Sequence, residues 1–265
     1  STGRFLMRLA ANLSMLFGEV DFLDRFKAAA DAGFTAVEYL LPYGDSTDEL
    51  AERLEANGLT QALFNMPVGD WNAGERGLAC LPDRVSEFRE GVGRAAEYAK
   101  ALGCGRVNAL AGLIPDGADP DELNATFVDN LAYAASELAK DDIRAITEPI
   151  NDKVDIPGFF LTSTSQARDA IRAAGSDNLY IQYDIYHMQI MEGDLIRTIE
   201  ANLDLIDHIQ LADHPGRHEP GTGEINYEFL LPQLDAIGYR GYVGCEYKPI
   251  AGTGEGLGWA KEYLS

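Results

Sequence analysis

Residues 99–112, AKALGCGRVNALAG, contain the unit that decides the fold. The first residues complete an amphipathic helix, and Gly103 supplies the left-handed residue with which many helices end. A short apolar run around Val107 follows, and such a run after a glycine is typical of a buried β-strand. The stretch is therefore predicted to be a helix followed by a strand.

The same unit returns four more times along the chain, each time with a glycine between its helical part and its strand-like part. The repeats lie at residues 28–40, 54–66, 171–184 and 234–247. The helical parts support this interpretation, because apolar residues spaced by three and four in residues 85–102 and 123–138 give each helix one buried face.

Strand candidates number eight, and a helix-like segment follows each of them. They lie near residues 8–14, 35–40, 60–66, 106–111, 144–148, 179–184, 206–211 and 242–247. Eight alternating units favour an α/β fold of the closed (β/α)8 TIM barrel type. An open doubly wound sheet is disfavoured, because no glycine-rich fingerprint follows the first strand.

Length and composition favour one domain with a small-molecule partner. The 265 residues can bury a single core, so residues 1–265 are predicted to form one domain, with residues 1–6 either a vector remnant or a native extension. The net charge of −22 opposes binding to nucleic acid or to an anionic membrane. No run of about 20 apolar residues occurs, which predicts a soluble protein without a membrane partner.

The three cysteines, Cys80, Cys104 and Cys245, are too few and too widely spaced for a zinc site or a disulfide framework. We interpret them as core residues of a protein from a reducing, cytoplasmic compartment.

One polar residue lies near the carboxyl end of every predicted strand. The eight are Asn12, Glu38, Asn65, Asn108, Glu148, Asp184, Gln210 and Glu246. Active residues of TIM barrels sit at this end, whereas a core built for stability alone would carry aliphatic residues there. The asparagines could equally form a hydrogen-bonded ring in a narrow barrel.

Residues Glu148, Asp184, Gln210 and Glu246 end four neighbouring strands of the predicted barrel. Three carboxylates that converge in a partly dry site repel one another unless a cation lies between them. Three carboxylates and an amide oxygen form an all-oxygen ligand set, which suits Mg²⁺ or Mn²⁺ better than zinc. The sequence therefore predicts a divalent metal site.

Several stretches resemble those of the hydroxypyruvate isomerase family, within the xylose isomerase-like barrel superfamily. They are AANLSMLF, FNMPVGDWNAGERG, EPIN, QYDIYHMQIMEGD, HIQLADHPGRHEPGTGEINY and GCEYKP, and the similarity runs from about Met7 to Trp259. The resemblance implies a divalent metal held by Glu148, Asp184, Gln210 and Glu246, with both glutamates also acting on protons. Ketose 3-epimerases of the superfamily generally carry histidine where this chain has Gln210, which favours the hydroxypyruvate-type branch.

The implied substrate is a small anion, hydroxypyruvate, which would be converted to tartronate semialdehyde through an enediolate. Its carboxylate needs local positive charge, for which Arg217, Lys248 and Arg76 are candidates. Arg217 could instead pair with Glu219 or Glu224 at the rim. Further candidate substrate contacts are His187, which resembles the superfamily histidine near the metal, Asn65, and Trp71, which could cover the site or fill a subunit contact.

The other three histidines lie close together at the seventh strand and in the loop after it. His208 is interpreted as a satisfied histidine of the barrel interior rather than a ligand. His214 and His218 lie in a polar loop and are as suited to shaping or covering the pocket as to touching substrate.

Four other functions compete with hydroxypyruvate isomerisation. A 2-oxo-tetronate isomerase would use the same chemistry in a longer pocket, and a ketose 3-epimerase is more distant. A phosphodiesterase resembling endonuclease IV needs a histidine-rich zinc site, for which four histidines are few. A noncatalytic sugar or metal binder is disfavoured by the paired glutamates. Homo-oligomerisation is expected for such barrels, and glyoxylate-related metabolism is implied by the resemblance.

Overall fold

The computed structural model describes residues 7–264, so the prediction for residues 1–6 lies outside the described part of the chain. Eight parallel strands close into a barrel in sequence order, with β1 paired to both β2 and β8. The strands are β1 (Arg8–Asn12), β2 (Ala36–Glu38), β3 (Thr60–Asn65), β4 (Arg106–Ala109), β5 (Arg144–Thr147), β6 (Leu179–Asp184), β7 (Ile206–Leu211) and β8 (Tyr242–Cys245). The predicted (β/α)8 TIM barrel and its eight strands are confirmed.

Helices surround the barrel and connect successive strands. They are α1 (Arg25–Asp31), α2 (Thr47–Ala56), α3 (Val85–Leu102), α4 (Pro120–Ala139), α5 (Thr164–Ala174), α6 (Ile185–Met191), α7 (Leu195–Ala201) and α8 (Tyr227–Ala236). The alternation is less regular than predicted, because β6 is followed by both α6 and α7, and β8 only by two 3₁₀ turns, Gly254–Gly256 and Gly258–Ala260. Four glycines between residues 252 and 258 disfavour a longer helix there.

Glycine ends the helices as the sequence predicts. Gly103 after α3 and Gly175 after α5 have φ angles of 63° and 66°, in the left-handed region. The backbone N–H of each glycine donates to carbonyls of the last helical turn, which satisfies acceptors that the helix leaves open. The chain can then turn directly into the next strand.

The main apolar core lies between the barrel and its helices. Helix α3 buries Phe88, Val92 and Ala95 on one face, and α4 buries Phe127, whose ring packs edge-on against Phe160 at 5.4 Å between centroids. Cys80, Cys104 and Cys245 are buried and unpaired, as expected of core residues. Among the helices of residues 7–264, none is long and apolar enough to cross a membrane.

The interior of the barrel is filled differently from this outer core. Small residues, Ala10, Ala36 and Ala62, form a separate buried cluster on β1 to β3. Buried polar side chains from other strands, including Gln182 and His208, occupy the same interior, where they contact Gln210 and Glu38. The strands thus present apolar side chains to the helices and a partly polar layer to the lumen.

Two phenylalanines on helices, one buried in the outer core and one exposed, should differ in how much they contribute to stability. Phe127 is fully buried, and Phe127→Ala should lower the free energy of unfolding by about 3–5 kcal/mol because it leaves a cavity. Phe229 on α8 is 52% exposed, and Phe229→Ala should change it by less than about 0.5 kcal/mol. Urea unfolding of both variants measures the difference. Equal losses would show that α4 is not packed as described.

Candidate active site

Four ionisable side chains meet at the carboxyl end of the barrel. Glu148 follows β5, Asp184 ends β6 and begins α6, and Glu246 follows β8. One carboxylate oxygen from each of these residues and one ring nitrogen of His187 all lie within 4.8 Å of one another, and all four residues are buried. The strands therefore bring together the three carboxylates that the sequence singled out.

This crowding acts on the protonation of the two glutamates. Burial, followed by the charges of Glu246 and Asp184, raises the pKa of Glu148 well above its usual range. Burial raises the pKa of Glu246 to about 8, although the nearby Arg217 guanidinium opposes the shift. The donor set fits a divalent cation, since a cation among these oxygens would remove the repulsion that otherwise favours protonation.

Arg217 is the cation that the protein itself places at the cluster. It donates from Nη2 to Oε1 of Glu246 at 2.8 Å and from Nη1 to Oδ1 of Asp155 at 3.1 Å. The predicted alternative of a rim pair is not seen: Glu219 accepts from the backbone of Ile250, and Glu224 contacts His214. Arg217 is thus committed to two carboxylates of the site.

His187 is held as a neutral donor. It lies in the first turn of α6, where its backbone N–H donates to Asp184 at 3.0 Å, and burial lowers its pKa to about 4. Its Nδ1 lies 2.7 Å from the amide nitrogen of Asn151, whose own oxygen accepts from the backbone of residues 154 and 155. Nδ1 is therefore the acceptor, and the proton sits on Nε2. A ring nitrogen that carries its proton suits a substrate oxygen better than a metal ion.

Gln210 lies beside the cluster with its amide nitrogen turned toward it. Nε2 donates to Glu246 at 3.0 Å and to Glu38, and Oε1 accepts from Gln182 at 2.6 Å. The oxygen of Gln182 is buried without a hydrogen-bond partner among residues 7–264. If both side-chain amides were rotated by 180°, the oxygen of Gln210 would face the carboxylates and its N–H would face the oxygen of Gln182.

Below the cluster, Glu38 is buried in the barrel interior. Its carboxylate accepts from Asn12 at 3.0 Å, from Nε2 of His208 at 2.8 Å and from Gln210. His208 is fully buried in the interior, as predicted, but it is not fully satisfied, because its Nδ1 has no hydrogen-bond partner among residues 7–264. A side chain at Gly244 of β8 would place its Cβ 1.8 Å from Oε1 of Glu38, so the carboxylate occupies space that only glycine leaves open.

A cavity of about 200 Å³ opens above the carboxylates. Five predicted substrate contacts line it: Asn65, Trp71, Arg76, His187 and Arg217. Apolar residues such as Leu40, Leu110 and Ile150 complete the wall. A larger groove of about 680 Å³ lies outside the barrel mouth beside α8, but its wall carries Glu224, Glu228 and Glu262, which would repel an anionic substrate.

Trp71 and Arg76 reach the cavity from the loop after β3. The guanidinium of Arg76 lies 3.6 Å from the centroid of the Trp71 ring, and its Nη1 donates to the carbonyls of Trp71 and Glu75. No carboxylate pairs with Arg76 within the described chain. Arg76 therefore keeps its charge available to the cavity, unlike Arg217.

Lys248 and two loop histidines are not brought to the cavity. Lys248 is exposed, and its backbone N–H donates to the carbonyl of Arg217 at 2.8 Å. His218 donates from Nδ1 to the carbonyl of Lys248, and His214 contacts Glu224. The backbone of Lys248 braces the Arg217 loop, whereas the sequence interpretation assigned the side chain to the substrate.

Three residues of the site were not recognised in the sequence: Asn151, Asp155 and Tyr186. Asp155 accepts from Arg217, from Asn151 at 2.7 Å and from the hydroxyl of Tyr186 at 2.8 Å. Asn151 had a signal, since it closes the EPIN stretch after Glu148. Asp155 had none, because it lies in a loop whose course the strand pattern does not predict.

Comparisons with known proteins agree with this architecture. A model of the family described as xylose isomerase-like TIM barrel matches residues 26–263. The hydroxypyruvate isomerase of Escherichia coli (strain K12) is 52% identical over 258 residues, with 97% of this chain and 100% of that protein covered. The 2-oxo-tetronate isomerase of Cupriavidus necator is 51% identical, with 97% and 98% covered.

Solved structures extend the comparison. A structure described as an AP endonuclease, family 2, from Brucella melitensis has a TM-score of 0.96 and 45% identity, covering 98% of this chain and 100% of that one. The 3-keto-D-glucoside 4-epimerase of E. coli has a TM-score of 0.78 at 21% identity, which shows a common fold alone. From the family match and the curated isomerases at about half identity, this chain belongs to the xylose isomerase-like TIM barrel family, among its isomerases.

Proposed function

We propose that the protein is a metal-assisted isomerase that interconverts hydroxypyruvate and 2-hydroxy-3-oxopropanoate, also called tartronate semialdehyde, through an enediolate. The observation that carries the proposal is the pair Glu148 and Glu246, two buried glutamates with raised pKa at the floor of a cavity that also holds arginine. The E. coli relative, a hydroxypyruvate isomerase, supports this substrate class.

Glu148, Asp184 and Glu246 would hold the divalent cation, Mg²⁺ or Mn²⁺, and Gln210 would complete the set once its amide turns. The cation would supply a Lewis acid that polarises the carbonyl and hydroxyl oxygens of the substrate. Its all-oxygen ligand set leaves His187 free to donate its Nε2 proton to a substrate oxygen.

The reaction requires a proton to leave carbon 3 and a proton to reach carbon 2, while a hydroxyl proton passes from oxygen 3 to oxygen 2. We assign the two carbon-bound transfers to Glu148 and Glu246. A carboxylate held beside the substrate carbons can take a proton from one of them, and its protonated form can return a proton to the other. Arg217, bound to Glu246 and Asp155, fixes the position of the Glu246 carboxylate.

Arg76 is the better candidate for the substrate carboxylate. Both Nη groups of Arg217 are occupied by protein carboxylates, whereas Arg76 has no carboxylate partner in the described chain and stacks on Trp71 at the cavity wall. An arginine oriented by an aromatic ring can offer two N–H donors to a carboxylate. Asn65, held by Asn108 at 3.1 Å, would contact a substrate oxygen beside it.

A four-carbon substrate is the second candidate, because the C. necator relative at 51% identity is a 2-oxo-tetronate isomerase. The same acid and base groups would serve, and only the far wall of the cavity would differ. A phosphodiesterase is disfavoured, since the cluster contains one histidine among three carboxylates and the chain carries a charge of −22. A noncatalytic binder would not need paired glutamates of raised pKa.

Proton NMR in D₂O tests the function directly. Metal-loaded protein is given hydroxypyruvate, 2-oxo-tetronate or a ketose, before and after chelation, and an abasic DNA oligonucleotide serves as the phosphodiesterase control. We expect metal-dependent conversion of hydroxypyruvate with deuterium entering carbon. Conversion of the four-carbon acid alone would make 2-oxo-tetronate the substrate. The absence of deuterium exchange with either acid would rule out the proposed isomerase activity.

Replacing a proposed proton-transfer group should abolish turnover without unfolding the barrel. Glu246→Gln should lower kcat by at least about 100-fold, because the amide has no proton to exchange at neutral pH. Glu224→Gln, at the rim and outside the cavity, is the matched control and should leave kcat within about twofold. Steady-state kinetics with metal analysis checks both, and near wild-type turnover of Glu246→Gln would remove Glu246 from the mechanism.

Substitutions of Arg76 and of Arg217 should affect different kinetic constants. Arg76→Gln should raise KM by about tenfold or more and spare metal content, because a charge-assisted contact to the substrate is lost. Arg94→Gln removes an arginine that also stacks on a ring, Tyr43, away from the cavity, and should leave KM unchanged. Arg217→Lys should instead lower kcat, because it disturbs Glu246. A raised KM for Arg217→Lys with an unchanged one for Arg76→Gln would reverse the assignment.

Metal binding should stabilise the protein more at high pH than at low pH. The pKa of Glu246, about 8 when folded and metal-free, lies above its ordinary value of 4.5. Its contribution to stability is therefore present below about pH 4.5 and is lost as the pH rises through about 8. A bound cation would offset the stability that is lost when Glu246 ionises. The rise in Tm on adding Mn²⁺ should therefore be larger at about pH 8 than at about pH 6. In Glu246→Gln this increase with pH should be smaller. A rise independent of pH would contradict the site.

A further inference from the structure

A second charged site lies at the opposite end of the barrel from the carboxylates. Arg8, Arg106 and Arg144 are the first residues of β1, β4 and β5, and Arg240 precedes β8. We call these four residues the basal arginine cluster. They line a common cavity of about 260 Å³, together with Asp207 and Tyr239. From Arg144 to Glu148 the chain rises by roughly 13 Å, so one small ligand cannot reach both ends.

Contacts with one acid and one ring hold the cluster in place. Asp207 of β7 accepts from Nε of Arg106 at 2.7 Å and also binds Nη1 of Arg144. The guanidiniums of Arg8 and Arg106 lie 4.3 and 5.7 Å from the centroid of the Tyr242 ring. Arg8, Arg106 and Arg144 are thus fixed around one opening, although they repel one another.

The charges at this opening do not balance. Asp207 is shared by two arginines, and Asp235 pairs with Arg240 at 3.1 Å. Within residues 7–264, Arg8 has no carboxylate partner and donates only to the carbonyl of Arg240, at 2.6 Å. Within the described chain, Arg8, Arg106 and Arg144 therefore share one aspartate, which leaves two positive charges. This is the reverse of the chain as a whole, whose net charge is −22.

We propose that the basal arginine cluster is a binding site for a phosphate group, either inorganic phosphate or a small phosphate monoester. Guanidinium groups match the geometry of phosphate oxygens, and a dianion would neutralise the two uncompensated charges. The side chain of Arg144 is 49% exposed, so the ligand enters from solvent at the base of the barrel. The site is separate from the proposed active site and does not depend on its chemistry.

Calorimetric titration tests the site with sodium phosphate and with glycerol 3-phosphate, against sodium chloride at equal ionic strength. We expect one saturable site per chain, weakened about tenfold or more in Arg8→Gln and in Arg144→Gln. Arg197→Gln on α7 removes the same charge from an exposed pair with Asp194 and should bind like wild type. Tighter binding of the ester would identify an organic phosphate as the ligand, and tighter binding of inorganic phosphate would identify the free anion.

A further variant separates this site from the active site, which also carries arginine. Arg76→Gln should retain phosphate binding, and Arg8→Gln should retain wild-type turnover, since Arg8 contacts no carboxylate and lies at the far end of the barrel. Loss of binding in Arg76→Gln alone would place the phosphate in the active site. That result, or the absence of saturable binding in wild type, would overturn the proposal and leave the cluster as an ion-pair network.

Discussion

The need to hold three carboxylates together in a buried barrel mouth governs the rest of the site. Glu148, Asp184 and Glu246 repel one another, and burial strengthens the repulsion because little solvent screens it. Side-chain donors surround these carboxylates. Arg217, Asn12 and Gln210 donate to Glu246, and Asn108 donates to Glu148. These contacts position the oxygens, and a divalent cation would supply the remaining compensation.

The sequence predicted the barrel and the acidic cluster because both follow from local rules. Strand candidates ended in glutamate or aspartate, and parallel strands bring their carboxyl ends to one edge, so Glu148, Asp184 and Glu246 had to meet. The loop contacts follow no such rule. Arg217 adopts a left-handed φ of 59°, and its partner Asp155 lies 62 residues away on another loop. The orientation of the Gln210 amide likewise depends on a neighbour, Gln182, whose role no pattern reveals.

The site divides its tasks between strands and loops. Strand ends carry the groups proposed for metal binding and proton transfer, where the backbone is fixed by hydrogen bonds to both neighbours. The loop after β3 carries Trp71 and Arg76, which line the cavity. A change of substrate length can therefore arise in this loop while the chemistry stays intact. Relatives named for two different acids are 52% and 51% identical to this chain, as such a division allows.

The contact between Glu38 and Gly244 has a consequence for protein engineering. A side chain at position 244 would meet the carboxylate of Glu38, so a substitution there requires this buried, hydrogen-bonded carboxylate to move. A shorter residue at position 38 would open the space but would also leave His208 without its acceptor. Redesign of the barrel interior must therefore vary residues 38, 208 and 244 as a set.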